Sequence, residues 1–217
     1  MYSNDSLVTR SEPMNKVLRN TYWLLSLTIV WSAVIATFAT VAQLPYPNIF
    51  VVLIGFYGLM FLTEKNRDNA MGLVFTFAFT GFTGYVLGTI LNLYIGAGMG
   101  FAIAQALGGT AVTFLGLSMY ATTTKRDLSF LNGMMFVGFF VIVAAMIANI
   151  FLGMTMLSLA ISGMFVVFSS AAILLTTQSI VRGGETNYIS ATITLYVSIY
   201  NLFLSLLQLI GFLGSDD

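Results

Sequence analysis

The sequence predicts an all-α membrane protein, a bundle of seven transmembrane helices with its N-terminus in the cytoplasm and its C-terminus on the opposite side. Three observations predict it. Of 217 residues, 58% are hydrophobic and only 7% charged, too few charges for a water-soluble domain. Apolar stretches long enough to cross hydrocarbon, about 20 residues each, recur along the whole chain and give a mean hydropathy of +0.93. The eight Lys and Arg residues all fall in segments that alternation places on one face of the bilayer, the ordering that short cytoplasmic loops impose.

A polar segment, 1–20, comes first and reads as a cytoplasmic tail. The first span, 21–42, is too long for a secretory h-region and ends at Leu44-Pro45-Tyr46-Pro47-Asn48, where each proline disfavours helix in the residue before it. The second, 49–63, is short and stops at Glu64-Lys65-Asn66-Arg67-Asp68-Asn69, whose charges mark an aqueous boundary. The third covers 70–93. After the link Ile95-Gly96-Ala97-Gly98, the fourth covers 98–122 and closes at Lys125-Arg126-Asp127. The fifth is 129–151 and the sixth 156–181. Arg182-Gly183-Gly184-Glu185-Thr186-Asn187 then separates the sixth from the seventh, 188–213, and a short tail, 214–217, closes the chain. The short links imply one transmembrane domain, 21–213, without a soluble one.

Charge placement tests this partition independently. With the N-terminus inside, seven spans put Arg10, Lys16, Arg19, Lys65, Arg67, Lys125, Arg126 and Arg182 on the cytoplasmic side. The opposite links, 43–48, 94–97 and 152–155, and the tail ending Asp216-Asp217 carry no basic residue. One span missed or added inside the chain would break the alternation.

Composition also narrows the chemistry. Net charge is zero, which leaves no electrostatic footprint for nucleic acid. With no cysteine and no histidine, thiolate nucleophiles, the commonest acid–base group and the commonest metal ligands are missing. The sequence therefore predicts no catalytic residue, no cofactor and no metal site, and a protein that is not an enzyme. No charged residue sits in the middle of a span, which disfavours the proton relays and ion-coupled pumps that need intramembrane ionisable groups.

Neutral polar residues do lie within the spans, including Asn92, Gln105, Asn149, Thr177 and Gln208, where interhelical hydrogen bonding is their ordinary role. A group made of Thr176, Gln178, Thr194, Ser198 and Asn201 is a candidate polar cavity, because Thr194, Ser198 and Asn201 repeat at i, i+4 and i+7 and so form one stripe. Small residues at close-packing spacing, Gly84 with Gly88 and Gly96, Gly100, Ala104 and Gly108, predict two stretches of close helix approach. Tyr22, Trp23, Tyr46, Tyr94, Tyr120 and Tyr188 near span ends suit interfacial belts.

The segments Gly109-Thr110-Ala111 through Lys125-Arg126-Asp127-Leu128-Ser129-Phe130-Leu131, Gly183-Gly184-Glu185-Thr186-Asn187-Tyr188-Ile189 and Leu195-Tyr196-Val197-Ser198-Ile199-Tyr200-Asn201-Leu202-Phe203 resemble the Bax inhibitor-1 (TMBIM) family over about residues 16–213. Lys16-Val17-Leu18-Arg19-Asn20-Thr21-Tyr22 and the GGETNYI loop resemble its bacterial YccA-like branch. The resemblance implies a seven-helix bundle of the Bax inhibitor-1 type, with the last helix surrounded by the others, in the bacterial inner membrane and with a periplasmic C-terminus. Family members are associated with a calcium leak controlled by two carboxylates. Their positions align with Thr176 and Ser198, and two hydroxyls neither titrate near neutral pH nor attract Ca²⁺ as carboxylates do.

The YccA-like branch implies a modulator of FtsH, a membrane-anchored ATP-dependent protease. The expectation is thus a protein that binds the FtsH complex and restrains its proteolysis, with the chain itself as a possible slow substrate. Arg10, Lys16, Arg19, Arg182 and Glu185 are the candidate cytoplasmic contacts. The alternative is a passive ion or small-solute leak through the Thr194, Ser198 and Asn201 stripe. The lipid bilayer is the other implied partner.

Overall fold

A computed structural model describes residues 5–214, with side chains described from Lys16 onward. Seven helices follow one another: α1 (Asp5–Val41), α2 (Ile49–Lys65), α3 (Ala70–Gly96), α4 (Gly100–Thr123), α5 (Phe130–Leu152), α6 (Thr155–Val181) and α7 (Tyr188–Leu213). The described residues contain no strand. Six of the helices are long and apolar enough to cross a membrane. The exception, α2, has 17 residues and rises about 25 Å, short of a hydrocarbon core of about 30 Å.

The predicted spans and the helices coincide closely except at the start. There α1 begins at Asp5 rather than near Thr21. Charge ends an apolar span but not a helix, since Lys, Leu and Arg are good helix formers. With 37 residues, α1 rises about 55 Å, more than hydrocarbon can cover.

The chain divides into two compact units. One comprises the chain up to Ala97 together with Ser179–Tyr196, and the other comprises Gly98–Gln178 and the chain from Val197 on. The boundary within α7 falls between Tyr196 and Val197.

In the first unit α3 packs against α1 and α2, and the sequence provides for close approach. A Cβ on Gly84 would lie 2.5 Å from Ser32 O, and one on Gly88 would overlap Ala36 O and sit 2.7 Å from Ala39 Cβ. Across this crossing Thr40 Oγ1 donates to Gly88 O at 3.0 Å and Trp31 Nε1 to Phe77 O at 3.0 Å. Tyr85 OH donates to Pro45 O at 2.7 Å, tying the α1–α2 link to α3.

In the second unit, α6 is hydrogen-bonded to its neighbours on both sides. Asn149 Nδ2 of α5 donates to Ser158 Oγ at 2.7 Å, and Ser162 Oγ donates to Gln208 Oε1 of α7 at 2.6 Å. Asn149 and Gln208 therefore take up the predicted interhelical bonding. Helix α5 has a single buried residue, Ile142, and is the most apolar of the six long helices.

The second predicted close-packing stretch is corrected. Gly96 and Gly100 lie in different helices, and a Cβ added to Gly96, Gly100 or Gly108 would meet no atom within 4 Å. On α4 the buried positions include Ala102, Ala106 and Thr110, with a Cβ on Gly109 reaching Leu206 at 3.4 Å. Two residues of offset turn a helix by about 200°. The Gly100–Ala104–Gly108 row thus faces away from the packed one.

Candidate functional site

Two turns meet at the polar end of the first unit, and Asn187 joins them. Helix α6 ends in a Schellman motif: Gly183 takes a left-handed φ of 76°, its N–H donates to Ile180 O at 3.1 Å, and Gly184 N donates to Ser179 O at 2.8 Å. Glycine at the left-handed position avoids the Cβ penalty. The chain then turns through Glu185, whose Oε1 accepts Asn187 N–H at 2.8 Å.

Asn187 is the N-cap of α7. Its Oδ1 accepts the N–H groups of Ile189 at 2.9 Å and Ser190 at 3.1 Å, satisfying donors that a helix start leaves open. Its Nδ2 donates to Arg67 O at 3.1 Å and Asp68 Oδ1 at 2.8 Å. One amide thus starts the last helix and fastens it to the α2–α3 turn, where Arg67 and Glu64 form an ion pair. Within the next turn Thr192 Oγ1 donates to Thr21 O of α1 at 3.3 Å. The exposed Lys16 and Arg19 lie within two turns of Thr21 on α1, and Arg182 is exposed on the α6–α7 turn. Lys16, Arg19, Arg182 and Glu185 therefore belong to one unit. Arg10 lies outside the residues whose side chains are described.

Deeper in the same unit sits a hydroxyl cluster that sequence reasoning missed. Tyr196 of α7 is 4% exposed, and its hydroxyl lies 2.6 Å from Ser32 Oγ of α1, 2.7 Å from Thr83 Oγ1 of α3 and 3.4 Å from Thr80 O. Its ring meets Phe79 edge-on with centroids 5.9 Å apart. A usable signal was present: this tyrosine lies well inside a span, away from the interfacial positions, and a buried phenol needs a partner.

The five candidate cavity residues are divided between the units. Thr194 is exposed, and its Oγ1 donates to Ser190 O at 3.0 Å in the preceding turn. In the second unit Ser198 is buried, while Thr176 and Asn201 are half-buried. Gln178 holds the α4–α5 loop: its Oε1 accepts Leu128 N–H at 2.9 Å, and its Nε2 donates to Arg126 O at 2.9 Å. Among the described residues no group of three or more His, Cys, Asp or Glu side chains gathers as a metal site would require. The hydroxyls and amides at these positions give and accept hydrogen bonds and stay neutral at physiological pH.

Among the described residues, seven helices, six of them membrane-crossing in length and composition, with interior polar groups that are neutral, define a multi-pass helical membrane protein. Residues 14–215 match the family model described as Inhibitor of apoptosis-promoting Bax1, and the chain belongs to that family. It is 55% identical over 202 residues to the Escherichia coli K12 protein named Modulator of FtsH protease YccA, covering 93% of this chain and 92% of that protein. An uncharacterized protein of Pseudomonas aeruginosa is 54% identical over 217 residues, covering 100% and 98% of the two chains. An uncharacterized membrane protein of Vibrio cholerae is 46% identical over 222 residues, covering 100% and 98%.

Proposed function

We propose that this chain is a multi-pass inner-membrane protein that binds the FtsH protease complex and restrains its proteolysis. The observation that carries the reading is the 55% identity over 93% of the chain to a protein named as a modulator of that protease. The name Inner membrane protein YccA, borne by an equally similar relative from another E. coli strain, supports the location. Lys16, Arg19 and Arg182 are exposed in the first unit, open to the part of a membrane-anchored partner that projects from the bilayer, and Glu185 lies in the same turn as Arg182.

Co-purification from detergent extracts tests this reading. FtsH is expected to accompany the full chain and to be depleted when residues 1–20 are removed. Absence of FtsH from both preparations would reject it.

The topology belongs to the same proposal. All seven helices cross, α2 included, because a short span is accommodated by local bilayer thinning, and the N-terminus is cytoplasmic. The cysteine-free sequence makes this simple to test with single cysteines and a membrane-impermeant maleimide. Ala97→Cys is expected to react from the periplasmic side, and Thr186→Cys only after the membrane is permeabilised. The reverse pattern would invert the topology.

A further inference from the structure

Between α5 and α6 the second unit opens an apolar groove of about 550 Å³. Its lining runs from Leu131 through Gly138 to Ile142 on α5 and from Ala160 through Gly163 to Ala171 on the antiparallel α6. On each helix that stretch rises about 16 Å. An extended hydrocarbon chain can lie along a slot of that length. A Cβ on Gly163 would have no atom within 4 Å, and one on Gly138 would meet only Phe168 Cδ2, at 3.8 Å. Side-chain volume is missing along the middle of the slot.

The loop that leads into the groove is electrostatically distinct. The described part of the second unit contains only three charged residues, Lys125, Arg126 and Asp127, and they closely precede the groove's first residue, Leu131. Gln178 fixes that loop through Arg126 O and Leu128 N. Asp127 Oδ1 accepts Ser129 N–H at 3.0 Å, turning the carboxylate toward the start of α5. Lys125 and Arg126 are exposed. The loop carries a net single positive charge just ahead of Leu131, where a slot lined by apolar side chains begins, a pairing complementary to an anionic head group joined to a hydrocarbon chain.

We propose that this groove holds one acyl chain of an anionic bilayer phospholipid, with its phosphate at Lys125 and Arg126. The site is independent of FtsH binding, and its test uses the purified full chain without the protease. After delipidation, the protein is titrated with dioleoyl phosphatidylglycerol or dioleoyl phosphatidylcholine and retained lipid is counted by native mass spectrometry. One phosphatidylglycerol is expected to persist preferentially. Gly163→Phe fills the slot and is expected to abolish its retention. Val167→Trp, at a 68% exposed lining position, does the same without touching a buried residue. Lys125→Gln and Arg126→Gln are each expected to lower the preference for phosphatidylglycerol by about fivefold. Gly108→Phe, on open surface outside the groove, leaves retention unchanged. Equal retention in the wild type and both groove-filling variants would overturn the proposal. So would equal affinity for the two lipids, or groove filling that changes only self-association.

Discussion

Gly84→Leu is expected to destabilise the first unit by about 3 kcal/mol, at the upper end of what forcing extra side-chain atoms into a packed interface costs. The obstacle is backbone as well as side chain. The new Cβ would lie 2.5 Å from Ser32 O, 2.9 Å from Ser32 Oγ and 3.0 Å from Ser32 Cα, so relief requires moving α1 away from α3. That displacement also draws Ser32 Oγ from the Tyr196 hydroxyl, 2.6 Å away, and loosens α7 against α1. Native proteins have only about 5–15 kcal/mol of net stability, which makes such a loss visible as a lower yield of folded protein and a lower thermal midpoint in detergent. Gly108→Leu, with open space around it, is the matched control and is expected to stay within about 0.5 kcal/mol of wild type. Equal midpoints for the two variants would contradict the described α1–α3 crossing.

Gln178→Leu is the second large effect. Leu128 is 6% exposed, and the leucine side chain would leave its N–H without the 2.9 Å acceptor and Arg126 O without its donor. An orphaned buried donor costs about 1–3 kcal/mol. Opening of the α4–α5 loop should rise by about tenfold or more, since each 1.4 kcal/mol is roughly a factor of ten. Hydrogen exchange reads this directly. The Leu128 amide is expected to lose protection while amides near Asn149, at the far end of α5, keep theirs. Trypsin cleavage after Lys125 and Arg126 should accelerate in parallel. Unchanged exchange at Leu128 would mean that Gln178 does not hold the loop.

Much of the architecture was legible because the bilayer simplifies the code. Charges can punctuate apolar runs only at aqueous boundaries, so clusters such as Glu64–Asp68 and Lys125–Asp127 mark helix ends within a few residues. The start of α1 was less legible because polar residues interrupt an apolar run without interrupting helix. Packing was legible in part. Gly84 and Gly88 lie at a crossing and the row at Gly100, Ala104 and Gly108 does not, although the spacing is the same. A four-residue period specifies a face and leaves open which partner, if any, meets it.

The polar interior followed the same rule. Polarity within a span signals a hydrogen bond without naming its acceptor. Gln178 thus shares the polar signature of Ser198, and its amide clamps a loop. Tyr196 is hard to single out in sequence because tyrosines are enriched at membrane interfaces, and its partners Ser32 and Thr83 lie on other helices. Asn187, between a glycine turn and Tyr188-Ile189, carried a recognisable cap signature, whereas its tether to Arg67 and Asp68 spans about 120 residues and is visible only in three dimensions.

The central claim, restraint of FtsH, is tested most directly by reconstituting the purified protease in liposomes with a membrane-protein substrate and measuring substrate half-life as this protein is added. Restraint predicts a half-life that lengthens with dose until saturation, with ATP hydrolysis by the protease continuing. An unchanged half-life at a dose where the two proteins co-purify would contradict it.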